Sequence, residues 1–174
     1  MTDAEYDTWV VCRHKFAADG RSAVITVNSA FGKRLQFADY PYHVSIAIAA
    51  APGAIDASGR IGAHESQHLL TLSRVIREAL DREEQHIIAI VHGAGARTLE
   101  LYARDGDAIA GRLNALQAEK TWDRAWNFQV TADPQGRRSQ RWREIAAASQ
   151  EHHLAINVPH ARDGAAADHH HAIF

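Results

Sequence analysis

The chain reads as an α+β protein built on a ferredoxin-like βαββαβ two-layer sandwich, and three observations predict it. Between Tyr42 and Ala132 the apolar period switches from two to about three and a half and back, in the order strand, helix, strand, strand, helix, strand. The 174 residues suffice for one domain with a sizeable core and are short for two. The apolar and charged fractions, 46% and 23%, match an ordinary globular protein, so the strands and helices have a core to share. The expected layout is one domain over residues 1–149 with its core at 42–132. An N-terminal β-hairpin and a C-terminal extension elaborate it, followed by a His-rich tail over 150–174.

Each element has its own signal. Trp9 to Phe16 and Ser22 to Ala30 are β-like runs either side of Asp19-Gly20, a hairpin turn signal. Tyr42, Val44, Ile46 and Ile48 alternate with His43, Ser45 and Ala47. The first helix is predicted over Ala63 to Arg82, with Leu69, Leu72, Val75, Ile76, Ala79 and Leu80 as its buried stripe. His86 to His92 is an apolar run suited to a central strand, and Gly93 to Ala96 turns it into the strand Thr98 to Arg104. Asp105-Gly106-Asp107 supplies N-cap chemistry for a second helix that buries Ile109, Ala110, Leu113 and Leu116. Trp126 to Thr131 closes the core, and Ser139 to Ala148 reads as a short helix with Trp142 turned inward.

Several function classes lose support from composition. A formal net charge of −2 gives no pull toward nucleic acid or an anionic membrane. The basic cluster Arg137 to Arg143 reads as a solvated helix face rather than an RNA platform. No apolar run approaches the roughly 18 residues of a spanning helix. Cys12 is the single cysteine, and the N-terminus lacks the regions of a signal peptide, so a reducing, cytoplasmic setting is expected. No Gly-rich phosphate loop and no nucleophile elbow is present.

Two candidate sites remain. With both helices on one side of the sheet, alternation sends His43, Ser45, Thr98, Glu100, Tyr102, Asn127, Gln129 and Thr131 to the other. If that face is open, His43, Glu100, Tyr102 and Asn127 form a polar surface for a protein partner or small ligand. Two such faces could also pack as an isologous homodimer. The second candidate is His64-Glu65-Ser66-Gln67-His68, an H-E-x-x-H pattern. Two histidines four apart on a helix can reach one Zn²⁺, and the glutamate can activate a bound water. Thr71 and Arg74 stand where the extended zincin pattern needs Gly and a third His. His92 could serve instead, because its strand rises about 20 Å back toward the helix start. The twelve histidines, with His169 to His171 in the tail, keep metal binding in view.

Tyr40-Pro41-Tyr42-His43-Val44, Ile76-Arg77-Glu78-Ala79-Leu80, Gly95 to Asp105, Arg112-Leu113-Asn114, Trp126 to Asp133 and Trp142 together resemble a bacterial family catalogued as a domain of unknown function, number 695. The resemblance spans roughly residues 9 to 145. It implies a cytoplasmic α+β module, sometimes beside a domain similar to the RNase E inhibitor family B, and it carries over no catalytic set. The histidines at the start of the first helix and the His-rich tail depart from the family pattern. The function expected is therefore a non-enzymatic binding or regulatory module without a cofactor. The alternative is a zinc enzyme using His64, Glu65, His68 and His92.

Overall fold

The computed structural model describes residues 7–31, 37–81, 83–119, 121–149 and 155–158. In chain order these form β1 (Asp7–Lys15), β2 (Ser22–Asn28), β3 (Tyr42–Ala49), a 3-10 turn (Pro52–Ala54), α1 (Ala63–Glu78), β4 (Gln85–Gly93), β5 (Ala96–Ala103), α2 (Gly106–Glu119), β6 (Trp126–Ala132), α3 (Arg137–Ser149) and β7 (Ala155–Val158). The class is α+β, as the patterning predicts. All seven strands join one antiparallel sheet in the order β6-β3-β5-β4-β2-β1-β7. The His-rich tail beyond Val158 lies outside the described residues.

One face of the sheet is buried by α1 and α2. Leu69 and Ile76 of α1, with Ile109, Leu113 and Leu116 of α2, meet Val44, Ile46, Ile48, Leu99 and Leu101 in one cluster. Periodicity had assigned these stripes, and burial at roughly 25 cal/mol per Å² of apolar surface is what holds both helices there. Asp105 caps α2 as expected, its Oδ1 accepting the N–H groups of Asp107 and Ala108. The first helix stops at Glu78, short of the predicted Arg82, with the Ala79 N–H reaching back to the carbonyls of Val75 and Ile76.

The opposite face departs from expectation. The hairpin β1–β2 extends the sheet beyond β4 and presents Val10, Cys12, Ala23, Ile25 and Val27 on that side, together with Ile88, Ala89 and Val91 of β4. So much apolar surface needs a cover. Trp142, Ile145 and Ala146 of α3, with Phe31, Phe37 and Tyr40, supply it. Gly136 makes the tight entry into α3. Its φ is +64°, and a Cβ there would lie 2.4 Å from the Phe37 ring. The sheet is thus sandwiched on both sides over its middle, and among the described residues the reverse face is open at β6. Among the described residues, no helix is long and apolar enough to cross a membrane.

Candidate functional site

Cross-strand register brings three of the four predicted face residues together. His43 pairs with Tyr102 and Ser45 with Glu100 across β3 and β5. The His43 Nε2 lies 2.8 Å from Glu100 Oε2, and Ser45 Oγ donates to Glu100 Oε1 at 3.1 Å. The His43 and Tyr102 rings meet edge to face at 5.3 Å. These groups are not on a wet surface, which corrects the expectation: His43 is 5%, Glu100 8% and Tyr102 0% exposed. The aromatic cover from Phe37 and the start of α3 closes over them. Asn127 lies apart from this trio. It sits opposite Ala47 near the start of β6 and is exposed, as is Gln129 opposite Ser45.

The network continues into a residue that the sequence reading missed. The Tyr102 hydroxyl donates to Asp133 Oδ2 at 2.6 Å and accepts the Ser139 N–H at 3.2 Å. Asp133 also accepts the N–H groups of Arg137 at 2.9 Å and Arg138 at 2.8 Å, so it caps α3. Burial and the neighbouring carboxylate push the Tyr102 phenol well above its ordinary range, so it stays protonated. Burial alone would raise the Asp133 carboxyl. The bonds from Tyr102, Arg138 and Arg137 outweigh it and hold the group below the usual carboxylate range. A locked donor on a fully committed acceptor is a staple between sheet and helix. Asp133-Pro134 followed by Ser139 is the cap signal from which it could have been read.

The H-E-x-x-H residues are also drawn apart by their partners. Glu65 is buried, and its two oxygens accept Arg124 Nε at 2.7 Å, Arg124 Nη2 at 2.8 Å and the Ala51 N–H at 2.8 Å. The Arg124 fork, with the Ala51 N–H, lowers its carboxyl to about 2 against the cost of burial. Both oxygens are engaged, whereas an activating base would need one turned toward water. His68 Nε2 lies 2.7 Å from Asp123 Oδ2, and His64 is exposed. His92 does return to the helix start as predicted, but its Nε2 meets Ser66 Oγ at 2.9 Å. No group of three metal-ligating side chains forms among the described residues.

A third polar cluster was not anticipated. Arg97 pairs with His92 across β4 and β5, and its Nε donates to Ser73 Oγ at 2.9 Å. Burial and the charge of Arg97 drive His92 down to about 4. Burial and Arg77 bring Arg97 down to about 10. Ser66 and Ser73, seven apart on α1, give that helix a polar seam toward the sheet where the stripe had been read as wholly apolar.

The chain matches the family model described as "Family of unknown function (DUF695)" over residues 7–138. It belongs to this family. No curated protein and no solved structure matches it. The DUF695 match runs from β1 to the first residues of α3, so it takes in Glu65, Arg124, His43, Glu100, Tyr102 and Asp133. Among the described residues of this DUF695 chain lie two surface hollows. One, of about 90 Å³, lies between Leu80, Gln85, Ile109 and Arg112; the other, of about 370 Å³, lies between His14, Arg141, Glu144 and Ile145. The buried network lines neither.

Proposed function

We propose that the chain is a non-enzymatic binding or regulatory module that engages a protein or small ligand through the open end of its reverse sheet face, around Asn127 and Gln129. The observation that carries this is a contrast within one face. Groups with acid–base potential are spent on one another: Glu100 on His43 and Ser45, Asp133 on Tyr102 and α3. The exposed polar side chains of β6, Asn127 and Gln129, are amides without charge.

We also infer a ferredoxin-like unit within the sheet and a cytoplasmic setting. The neighbour order β6-β3-β5-β4, with α1 and α2 on one side, supports the first. The single buried cysteine, Cys12, agrees with the second. The alternative, a zinc enzyme on His64, Glu65, His68 and His92, would require Arg124 and Ser66 to release Glu65 and His92.

Recovery of partners from the native host tests the reading, using the untagged C-terminus and two versions, wild type and Asn127→Arg/Gln129→Arg. A partner held by the wild type and lost from the folded double variant is the expected result. Equal recovery from both would overturn it.

A further inference from the structure

We propose that β6 is a self-complementary edge through which two copies of the chain join their sheets about a two-fold axis at Gln129. The proposal names a partner for the surface argued above and rests on that reading only in using the same strand.

The backbone supplies the first argument. Among the described residues β6 is the outermost strand on its side and pairs only with β3. The Ala49 N–H bonds the Ala125 carbonyl at 2.9 Å, and the Asp133 N–H bonds the Pro41 carbonyl at 2.7 Å. In an antiparallel ladder bonded pairs alternate, so the groups of Asn127, Gln129 and Thr131 also face β3. Those of Trp126, Phe128, Val130 and Ala132 therefore turn outward. Among the described residues, only the Trp126 carbonyl of these outward groups has a partner, the Gln117 amide at 2.9 Å.

The side chains supply the second. Natural edges are blunted by lysine, proline, other charges or bulges. β6, Trp-Asn-Phe-Gln-Val-Thr-Ala, carries no charge, no proline and no bulge in its pairing. An antiparallel copy centred on Gln129 sets Phe128 against Val130 of the second copy, and Trp126 against Ala132. All four are positions with outward backbone groups. Asn127 falls opposite Thr131, and Gln129 opposite itself. Phe128 and Val130 are half-buried on the helix-covered face, while Asn127 and Gln129 are exposed on the other. Apolar meets apolar and amide meets amide or hydroxyl, with no like charges opposed. One register thus satisfies hydrogen-bond parity, the use of all seven residues and side-chain matching. The core accounts for the apolar positions Trp126, Phe128 and Val130, but not for the lack of charge at Asn127, Gln129 and Thr131.

Seven residues per copy fall short of the roughly 20 to 30 per side of a standard interface, so the dimer should be weak. Sedimentation of the full chain from about 1 µM to about 1 mM tests it, a span that covers weak interfaces. The wild-type mass should climb toward twice 19.2 kDa and stop there. Gln129→Arg, which opposes like charges on the axis, should weaken association at least about tenfold. Val130→Pro removes an outward N–H that β3 does not use, and should do the same. Gln135→Arg, an exposed control beyond the strand, should behave as wild type. A wild type that stays monomeric, growth past two copies, or a dimer indifferent to Gln129→Arg would each overturn the proposal. If the chain stays monomeric while the double variant still loses a foreign partner, this inference falls and the functional reading stands.

Discussion

Replacing Glu65 by Gln separates the structural from the catalytic reading of the H-E-x-x-H segment. The amide keeps the shape of the carboxylate, but its N–H₂ must face Arg124 in either orientation, against Nη2 alone or against Nε together with the Ala51 N–H, donor against donor. The wild-type carboxylate is 5% exposed and receives three hydrogen bonds, two from a guanidinium that is itself 25% exposed. Removing one partner of a fully buried ion pair costs about 3–5 kcal/mol, and the exposure of Arg124 places this pair at the lower end, about 3 kcal/mol. For a chain of this length that is a fall of roughly 6–12 °C in Tm. Urea unfolding of Glu65→Gln, Arg124→Ala and the double variant reads both the cost and the coupling, expected at about 1–3 kcal/mol.

Acid provides an independent arm. Glu65 titrates at about 2 in the folded chain against about 4.5 ordinarily, so its contribution is complete above pH 4.5 and is lost as pH falls from 4.5 toward 2. Glu65→Gln should lack that limb. A cost below about 0.5 kcal/mol, or coupling near zero, would refute the clamp and return Glu65 to the catalytic reading.

Three further outcomes follow from the geometry. Tyr102→Phe removes the donor to Asp133 and the acceptor of the Ser139 N–H, costing about 1–3 kcal/mol. Trypsin should then cut faster within Arg137 to Arg143, and an unchanged rate would show that the hydroxyl does not hold α3. Because the Tyr102 phenol is raised, its share of stability is present below pH 10 and lost above it, a limb that Tyr102→Phe should abolish. His92, held neutral down to about 4, should make stability fall by about 2 kcal/mol between pH 6.5 and 4 once its partial exposure is allowed for. His92→Gln should flatten this limb in a thermal melt series, and an unaltered slope would place the titration elsewhere. Zinc added to protein freed of metal should raise Tm no more in wild type than in His64→Ala/His68→Ala. A stoichiometric gain confined to wild type would favour the zinc reading.

What the sequence disclosed was local, and what it concealed was register. The α1 and α2 stripes at Leu69, Ile76, Ile109, Leu113 and Leu116 follow from a period that lies within each helix, and all five are buried. The Asp105 cap is equally local. The reverse face is different in kind. Val10, Cys12, Ala23, Ile25 and Val27 alternate visibly, yet their face is decided only when β2 pairs with β4, more than sixty residues away. The β4 ladder itself shifts between Ile87 and Ala89, so the run Ile87-Ile88-Ala89-Ile90 cannot be phased by counting in twos. His43 and Glu100 were placed on the right side of the sheet for the right reason, but whether that side was wet depended on α3. The polar seam of α1 shows the same limit in miniature. Glu65 lies one turn before Leu69 on the buried stripe, which implies that a cation must meet it; Arg124, fifty-nine residues on, could not be named. Polar alternation along a strand therefore marks a face, and only the rest of the fold decides its solvent. Here that decision leaves Asn127 and Gln129 of β6 exposed, on the strand whose outward backbone groups lack a partner strand among the described residues.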